Sequence, residues 1–499
     1  MIEGILIGLN TALSLKNILM VMIGCFAGTI IGMLPGLGPM TAIALMIPIT
    51  YGFEPSTGLI LMAGVYYGAV FGGSTSSILI NAPGVPGTVA TSFDGYPMAQ
   101  QGKAGKALAI AAYSSFAGGT IAAIFLLFAA PSLSKVSLAF RSPDYFGLMI
   151  LGLTAVSAFS AKGHFLKAMM MVVLGLMLAS VGQDTLSDIP RFVFNNMNLA
   201  DGISFVLVVM ATFAMSEALT IIFKGSDPTQ AAKQISLSKL GSIRLDKEET
   251  KKMVTTIPRS SIIGFIIGVL PGAGSTIASF LAYGMERNFV KDDEKQKFGK
   301  GSVNGLAAPE TANNAACSGS FVPLLTLGIP GSGTTAVMLG ALLGFGIQPG
   351  PRLYETNPEI FWSVIMSMYI GMVVLLILNL PLIPYIARIL AVPRTFLIPM
   401  ILFFSVTGIY LMSFNNFDIF LMIGIAVVAT ILRLYDFPMP PLILAFVLGG
   451  LMEENLRRSL LISDGSWDFL WSRPLTICIM LAILAIILWQ ISNSFKSKK

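Results

Sequence analysis

Residues 28–42 read GTIIGMLPGLGPMTA, and a closely similar pattern, GFIIGVLPGAGSTIA, returns at residues 264–278. In each copy an apolar helical pattern leads into Pro-Gly-x-Gly, and apolar sequence resumes after it. Proline removes a backbone donor and clashes with the preceding helical turn, while glycine accepts positive φ. Each copy therefore predicts a helix that is broken within an apolar environment.

The two copies are identical at nine positions at an offset of 236 residues (264 − 28). A second break follows each copy, and the two second breaks align on Pro86-Gly87 and Pro330-Gly331 at an offset of 244 (330 − 86). Two motifs repeated in the same order argue against chance. In lipid a broken helix is tolerated only where its freed backbone groups face protein or water. Paired breaks of this kind indicate a transporter's binding site.

The composition is that of a membrane protein. Of the 499 residues, 55% are hydrophobic and only 11% are charged, whereas soluble domains carry about 25% charged residues. The mean hydropathy is +0.81. The net charge of +6 is small, and the basic residues lie mainly in connectors, which disfavours nucleic acid as a partner. The expected fold is an all-α polytopic membrane protein with about 10–14 membrane segments.

The chain divides into a first membrane repeat at 1–223, a polar linker at 224–259 and a second membrane repeat at 260–499. Some segments, such as Met40–Ile49 and Pro441–Leu451, are too short to span, which favours re-entrant or half helices. The general transporter pattern favours inverted repeats, although the number of crossings decides between inverted and parallel. The Lys/Arg excess of the linker and the basic C-terminal tail predict that both are cytoplasmic.

Enzymatic chemistry finds little support in the sequence. The one histidine, His164, lies in a polar turn, and Cys25, Cys317 and Cys478 have neither zinc-site nor disulfide spacing. Candidate nucleophiles such as Ser332 have no histidine or lysine in the apolar spans to activate them. We therefore expect no cofactor and no enzymatic activity, with an intramembrane hydrolase as the least favoured reading. The absence of a GxxxxGK[ST] motif argues against ATP as the energy source of this chain.

Glu310, Asn313 and Asn314 are the candidate ligands for a coupling ion. At helical spacing they share one face, and a charge at mid-bilayer costs at least ~2.5 kcal/mol unless it has a partner or a role. A sodium ion or a proton would supply one, because carboxylate and amide oxygens suit hard cations. The alternatives are that Glu310 lies in a surface loop or pairs with Arg287.

The broken helices suit an anionic substrate, because helix N-termini and glycine-rich turns present unpaired N–H groups. No arginine lies inside the motifs, so backbone dipoles would carry most of the neutralisation. The alternatives are that the glycines only permit close packing or hinge motion and that Asp94 only caps backbone amides. The candidate substrate-binding residues are Pro35, Gly36, Gly38, Ser74, Ser76, Asn81, Pro86, Gly87, Thr88, Gly272, Gly274, Ser275, Pro330, Gly331, Ser332 and Thr334.

With these residues in view, the chain resembles the large membrane subunit of the tripartite tricarboxylate transporters. The matching stretches include GGSTSSILINAPGVPGTVATSFDGYPMAQQGKAGKAL at 72–108, APETANNA at 308–315 and LTLGIPGSGTTAVMLGAL at 325–342. The chain carries Gln100-Gln101 where the family often has a basic residue.

The resemblance implies a multi-pass bacterial inner-membrane transporter that takes up carboxylates by sodium or proton symport. It also implies two protein partners, a small membrane subunit and a periplasmic solute-binding protein. Membrane lipid and a homodimeric partner are further expectations. A channel or a passive membrane scaffold is the competing function.

Overall fold

The structure is a computed structural model that describes residues 1–34, 36–158, 165–184, 189–224, 241–387 and 394–496. It is almost entirely helical, so the predicted all-α fold is confirmed. The helices of ten or more residues are α1 Ile2–Ala12, α2 Leu15–Met33, α3 Gly38–Thr50, α4 Pro55–Ile80, α5 Val89–Gln100, α6 Ala104–Ser137, α7 Ser142–Ala158, α8 Phe165–Ala179, α9 Phe205–Lys224, α10 Lys247–Val269, α11 Gly274–Phe289, α12 Val303–Gly319, α13 Gly333–Gly344, α14 Pro358–Asn379, α15 Arg394–Ser413, α16 Asn416–Leu434, α17 Pro440–Ile462 and α18 Pro474–Lys496.

Shorter segments complete the described chain. Within α9, residues Met210–Met215 form a π-helix. Two short strands, β1 Gly182–Gln183 and β2 Pro190–Arg191, pair antiparallel in the connection between α8 and α9. The remaining short helices are Pro86–Thr88, Met197–Leu199, Asp292–Lys295, Phe321–Leu327, Leu353–Thr356, Ile383–Ile386 and Trp467–Leu470.

Seven of the described helices are long and apolar enough to cross a membrane, which makes the chain a multi-pass membrane protein. They are α2, α4, α6, α9, α10, α14 and α16, and shorter apolar helices such as α3, α8 and α13 stand beside them. The predicted short segment Pro441–Leu451 is wrong, because α17 continues to Ile462. Charged residues such as Arg457 in its last turns lower the hydropathy without ending the helix. The polar linker is predicted to end at residue 259, but α10 begins within it, at Lys247.

Helices α2 and α4 pack along a line of glycines. Gly24, Gly28 and Gly32 lie so close to α4 that a Cβ on any of them would come within 3.0 Å of its backbone. Their contacts are Leu61, Val65 and Ala69 in that order, so the two helices run in the same direction. Small residues at four-residue spacing let helix backbones approach in this way.

The same arrangement occurs in the second half, where Gly264 and Gly268 lie against Ala312 and Ala316 of α12. These contacts match α12 to α4 at an offset of 247 residues (312 − 65). Pro330-Gly331 therefore corresponds to Pro83-Gly84 (330 − 83), and the sequence alignment with Pro86-Gly87 is wrong by one Pro-Gly unit.

The glycines of the second breaks agree with the corrected offset. A Cβ on Gly84 would meet the carbonyl of Gly32, and a Cβ on Gly331 would meet the carbonyl of Gly268. These paired contacts support a structural repeat, and its inverted orientation stays a prediction.

One end of the helix bundle, named here the linker end, holds the starts of α6 and α10. Lys106 at the start of α6 pairs with Glu249 at 2.8 Å and with Asp246 at 3.4 Å. Asp246 caps α10 by accepting the N–H of Glu249, and this hydrogen bond lowers the pKa of Asp246. The loop before α12 lies at the same end, since Lys252 of α10 pairs with Glu294 at 3.0 Å.

The opposite end, named here the far end, holds the starts of α2, α4 and α14 and the end of α6. Thr57 at the start of α4 donates to Asn17 of α2 at 2.8 Å, and Ser56 lies 3.4 Å from Glu359 of α14. The last turn of α4 lies instead at the linker end, where Ile78 packs against Gly95 of α5. The first helices of the two halves, α2 and α10, therefore start at opposite ends, which supports an inverted arrangement.

Candidate functional site

Glu310 lies in the middle of α12 with no exposed surface. Its Oε2 accepts hydrogen bonds from Ser74 of α4 at 2.8 Å and from Ser115 of α6 at 2.7 Å. Its Oε1 accepts a hydrogen bond from Thr91 of α5. Both alternatives for Glu310 are wrong, because it is in a buried helix and its partners are three hydroxyl groups rather than Arg287.

Asn313 and Asn314 follow Glu310 by about one turn and are equally buried. Within the described residues, both side-chain polar atoms of Asn313 and the Oδ1 of Asn314 have no hydrogen-bond partner. The Nδ2 of Asn314 donates to the carbonyl of Glu310 at 3.1 Å. An unpaired buried polar group costs about 1–3 kcal/mol, so these amides point to a bound ion or water.

The unpaired amide of Asn313 faces both halves of the chain. A Cβ built on Gly87 would lie 2.7 Å from the Oδ1 of Asn313 and 2.8 Å from the Oγ of Ser275. Gly87 comes from the first-half break and Ser275 from the start of α11. The predicted residues Gly87, Ser275 and Asn313 therefore meet at one point, where Gly87 and Asn313 are buried and Ser275 is half-buried. Ser275 and Asn313 offer oxygen atoms that suit Na⁺.

A cavity of about 570 Å³ lies at the first Pro-Gly-x-Gly copy. Its wall includes Gly36 and Gly38, whose φ angles of 95° and 60° are in the left-handed region that glycine adopts most readily. Gly272 and Gly274 repeat this geometry with φ angles of 80° and 62°. Because α3 begins at Gly38, the N–H groups of its first turn have no partner inside the helix and carry partial positive charge, although Pro39 contributes none. The lining residues are Gly36 to Thr41, Pro83 to Pro86, Val89, Phe213, Glu217, Arg433 and Phe437 to Pro440.

Arg433 supplies this cavity with a cation that the sequence motifs did not indicate. Its guanidinium donates to Glu217, to the Ser216 Oγ at 3.0 Å and to the Thr212 carbonyl at 2.9 Å. It also lies 5.7 Å from the ring centre of Phe213. The sequence offered a signal, because Glu217 lies in the apolar run 203–223 and Arg433 in the apolar run 419–434. Ionisable residues in such spans usually have a function.

The other predicted residues of the first half have local roles. Ser74 donates to Glu310 and so belongs to the ion site, whereas Ser76 donates to the Gly73 carbonyl of its own helix. Asn81 ends α4 with a left-handed φ of 52°. Thr88 donates to the Val85 carbonyl at 2.9 Å. Pro86 lines the cavity, and Pro35 and His164 lie outside the described residues.

The breaks of the second half are joined to each other. The N–H of Gly272 donates to the carbonyl of Gly331 at 3.0 Å. Ser332, which follows Pro330-Gly331, caps α13 by accepting the N–H of Thr335 at 3.3 Å, and the next residue but one, Thr334, is buried. Gly274 lies beside Ser332. The lining of the cavity of about 570 Å³ includes the first-half breaks. Convergence of all four breaks on one substrate stays a prediction.

Asp94 joins the two halves of the chain at the linker end. It lies within α5, not in a turn, and its Oδ1 accepts the backbone N–H groups of Gly299, Gly301 and Ser302 at 2.7–2.9 Å. The prediction that Asp94 caps backbone amides is right, but the amides belong to the loop before α12. This contact fixes the start of the helix that carries Glu310.

A family model described as the tripartite tricarboxylate transporter TctA family matches residues 18–444. The chain belongs to this family. The match covers both Pro-Gly-x-Gly copies, Glu310 and Arg433, so every part of the candidate site lies within the TctA region.

Two relatives from Agrobacterium vitis extend the comparison. The uncharacterized 52.8 kDa protein in the TAR-I ttuC' 3' region is 41% identical over 499 residues, which are 100% of this chain and 98% of the relative. The uncharacterized protein in the TAR-II ttuC' 3' region is 41% identical over 229 residues, which are 44% of this chain and 94% of the relative. No solved structure matches the chain.

Membership of the TctA family confirms the resemblance seen in the sequence motifs. The family is a transporter family of tripartite systems, so a role in membrane transport is established at that level. As a TctA-family chain, it carries two separate polar features: the carboxyl and amide groups on α12, and the arginine cavity beside Gly36 and Gly38. The first offers buried oxygen atoms, and the second offers an arginine that is paired with Glu217.

Proposed function

We propose that this chain is the large membrane subunit of a binding-protein-dependent tripartite transporter that takes up small carboxylates across the bacterial inner membrane. Uptake is driven by symport of Na⁺ or H⁺. The observation that carries the proposal is the cavity of about 570 Å³, where the first-half breaks and Arg433 face one volume. The C-terminus and the inter-repeat linker are cytoplasmic in this proposal.

A carboxylate is the substrate class that fits this cavity. Small-molecule sites commonly measure about 300–1,000 Å³, and the N-terminus of α3 offers backbone donors and partial positive charge to an anion. Arg433 adds a planar donor that can bind a carboxylate with two hydrogen bonds. Its present carboxylate partner is Glu217, so a substrate carboxylate would share or replace that contact.

Glu310, Asn313 and Asn314 are the residues proposed to couple ion movement to uptake. The three hydroxyl groups around Glu310 supply hydrogen bonds to a carboxylate, and the unpaired oxygens of the two asparagines could complete a cation site. A proton bound at Glu310 is the other form of the same proposal. In the described part of the chain no basic side chain pairs with Glu310, which leaves the ion to balance its charge.

The proposal includes the partners that a tripartite system requires. These are a small membrane subunit and a periplasmic solute-binding protein that delivers the carboxylate. Lipid covers the exposed apolar faces of the spans, and a homodimer is a further assembly to test by mass measurement in detergent.

The proposal is tested by uptake of labelled citrate, dicarboxylates and aromatic acids into proteoliposomes that contain both membrane subunits. The binding protein is added outside, and sodium and proton gradients are imposed separately. We expect accumulation above equilibrium that depends on one of the gradients. Uptake that persists unchanged without either gradient contradicts secondary coupling, and equilibration without accumulation favours a channel. Absence of any carboxylate flux would leave a scaffold role.

A further inference from the structure

A second cavity lies at the far end of the bundle, away from Arg433. Its volume is about 650 Å³, and it is formed by the start of α7, the end of α17 and the loop at 348–352. Its lining includes the side chains of Arg141, Arg352 and Arg458, with Tyr145 and Asn455 between them. This cavity is named here the far-end vestibule.

The charge of the vestibule lining is unbalanced. Three arginines face one acidic residue, Glu454, which pairs with Arg458 at 2.5 Å. Within the residues that the structure describes, the guanidinium groups of Arg141 and Arg352 make no ion pair. The vestibule therefore holds an excess of two positive charges.

A neighbouring ion-pair cluster at α17, in contrast, has balanced charge. There Arg457 and Arg191 are both paired with Asp184 and with Glu453, at distances of 2.5–3.3 Å. That cluster ties the connection after α8 to α17, and its charges cancel. Of the vestibule arginines, Arg458 is paired with Glu454, whereas Arg141 and Arg352 have no ion pair among the described residues. The guanidinium donors of these two are therefore available to a ligand.

The vestibule is connected to the arginine cavity by one short segment, residues 328–333. Gly328 at its start lines the vestibule. Gly333 at its end lies against Met40 and Pro440, which line the cavity of Arg433. The second-half break therefore runs from the lining of the vestibule to the lining of the arginine cavity.

We propose that the far-end vestibule is a second anion site, which takes up a small polycarboxylate before it passes the second-half break to the cavity of Arg433. This inference rests on the proposed function for its direction of transport. Arg141 and Arg352 are the residues that bind the carboxylates, each able to form a two-bonded contact. A small anion fits better than a protein surface, because the site is concave and its volume is that of a small-molecule pocket.

The primary test is chemical modification of arginines in the purified full-length chain with phenylglyoxal, read residue by residue by mass spectrometry. Citrate, acetate and chloride are compared at constant ionic strength. We expect citrate to slow modification of Arg141 and Arg352 about tenfold and acetate to slow it less. Arg244, which is exposed at the linker end, should react at the same rate in all three salts.

The outcomes separate this inference from the proposed function. Equal rates at Arg141 and Arg352 in citrate and chloride would overturn the vestibule site, even if the chain transports carboxylates. Protection by citrate together with no carboxylate uptake would overturn the proposed function and leave the vestibule site standing. Protection by the binding protein alone, without citrate, would replace the small anion with a protein docking surface.

A second test uses the reconstituted transporter with matched variants. Arg141→Gln and Arg352→Gln each remove one charge from the vestibule, and Lys135→Gln removes a charge from the exposed end of α6 outside its lining. We expect the first two to raise the apparent KM for the transported carboxylate about tenfold with little change in maximal rate, since a charged cleft raises local substrate concentration. An equal effect of Lys135→Gln would assign the change to general surface charge and contradict a site.

Discussion

Glu310 is the residue on which ion coupling would depend, because its carboxyl group is buried and surrounded by hydroxyls rather than by cations. Three helices, α4, α5 and α6, each bring one hydroxyl to it. Hydroxyl groups can donate to a charged carboxylate and can also accept from a protonated one. The surroundings of Glu310 therefore tolerate both protonation states, as a residue that binds and releases a cation requires.

We predict that Glu310→Gln leaves the fold intact and removes the ion dependence of uptake. Glutamine keeps the size and one acceptor oxygen but cannot carry the charge. Hydrogen bonds to charged groups contribute about 1.5–3 kcal/mol, so the affinity for the coupling ion should fall about 10- to 100-fold. Initial uptake rates are measured while the sodium concentration and the pH are varied independently.

Two serines on α4 provide the matched controls for this prediction. Ser74→Ala removes a hydroxyl that donates to Glu310, whereas Ser76→Ala removes a hydroxyl that donates to the Gly73 carbonyl of its own helix. Ser74→Ala should weaken ion dependence, and Ser76→Ala should not. Wild-type ion dependence in Glu310→Gln would show that the coupling site lies elsewhere.

We predict that variants of Arg433 and Glu217 separate the effect on protein stability from the effect on carboxylate transport. Arg433→Gln removes a cation from Glu217 in a largely buried place, and breaking a buried pair on one side costs about 3–5 kcal/mol. The double variant Glu217→Gln/Arg433→Gln should regain most of that stability but transport carboxylate at least tenfold more slowly. Thermal unfolding in detergent gives the first quantity and proteoliposome uptake the second. Wild-type uptake by the double variant would exclude Arg433 from the substrate site.

Single residues differed in how far the sequence could identify them. Glu310 was found because a carboxylate in a stretch of small residues is costly without a role. Its partners Thr91 and Ser115 were not found, because they are ordinary hydroxyls on other helices that only the packing brings near. Arg433 could have been found by the same argument as Glu310, since it is an ionisable residue in an apolar span.

The helices are held in place by close contacts that only glycine permits, and these contacts also position the breaks. Gly32 lies against Ala69 one turn before the first break, and Gly268 lies against Ala316 one turn before its counterpart. Because each broken helix is fixed this close to its neighbour, the Pro-Gly-x-Gly turn that follows is set in a defined place beside α4 or α12.

We predict that Gly32→Ala strongly destabilises the protein. Its added Cβ would lie within 3.0 Å of the Ala69 backbone, and overpacking of this kind costs about 1–3 kcal/mol or more. The control is Gly424→Ala in α16, where a Cβ meets nothing within 4 Å. That change should stabilise the helix by about 0.5–1 kcal/mol. A thermal shift that is equal for both variants in detergent would contradict the packing argument.

Most helix positions followed from hydropathy, but the matching of elements between the halves did not. The apolar runs at 17–34, 59–80 and 203–223 predict α2, α4 and α9 to within a few residues. The alignment of the second breaks failed because the segment after α4 contains two Pro-Gly units, and sequence identity favoured the wrong one. The backbone contacts of Gly84 and Gly331 show which Pro-Gly units correspond. Such contacts cannot be predicted from residue type alone.

At the scale of the whole molecule, the two cavities lie at opposite ends and the second-half break lies between them. The arginine cavity is beside the start of α3 and the vestibule is beside the start of α7. A carboxylate moving between them would meet unpaired arginines in the vestibule, a glycine-containing segment in the middle and the Arg433–Glu217 pair in the arginine cavity. This layout suits alternating access around a central barrier.

The direction in which each half is inserted in the membrane can be tested by labelling from one side. If the repeats are inverted, α2 starts on the periplasmic side and α10 on the cytoplasmic side. Single cysteines at Leu13 and Ser242, both exposed and next to those starts, are introduced with Cys478 replaced by serine. Cys25 and Cys317 are buried and should not react.

An impermeant maleimide should label Leu13→Cys in intact spheroplasts and Ser242→Cys only after permeabilisation. Labelling of both from the same side would exclude the inverted arrangement, because the contacts of α4 place these two positions at opposite ends of the bundle.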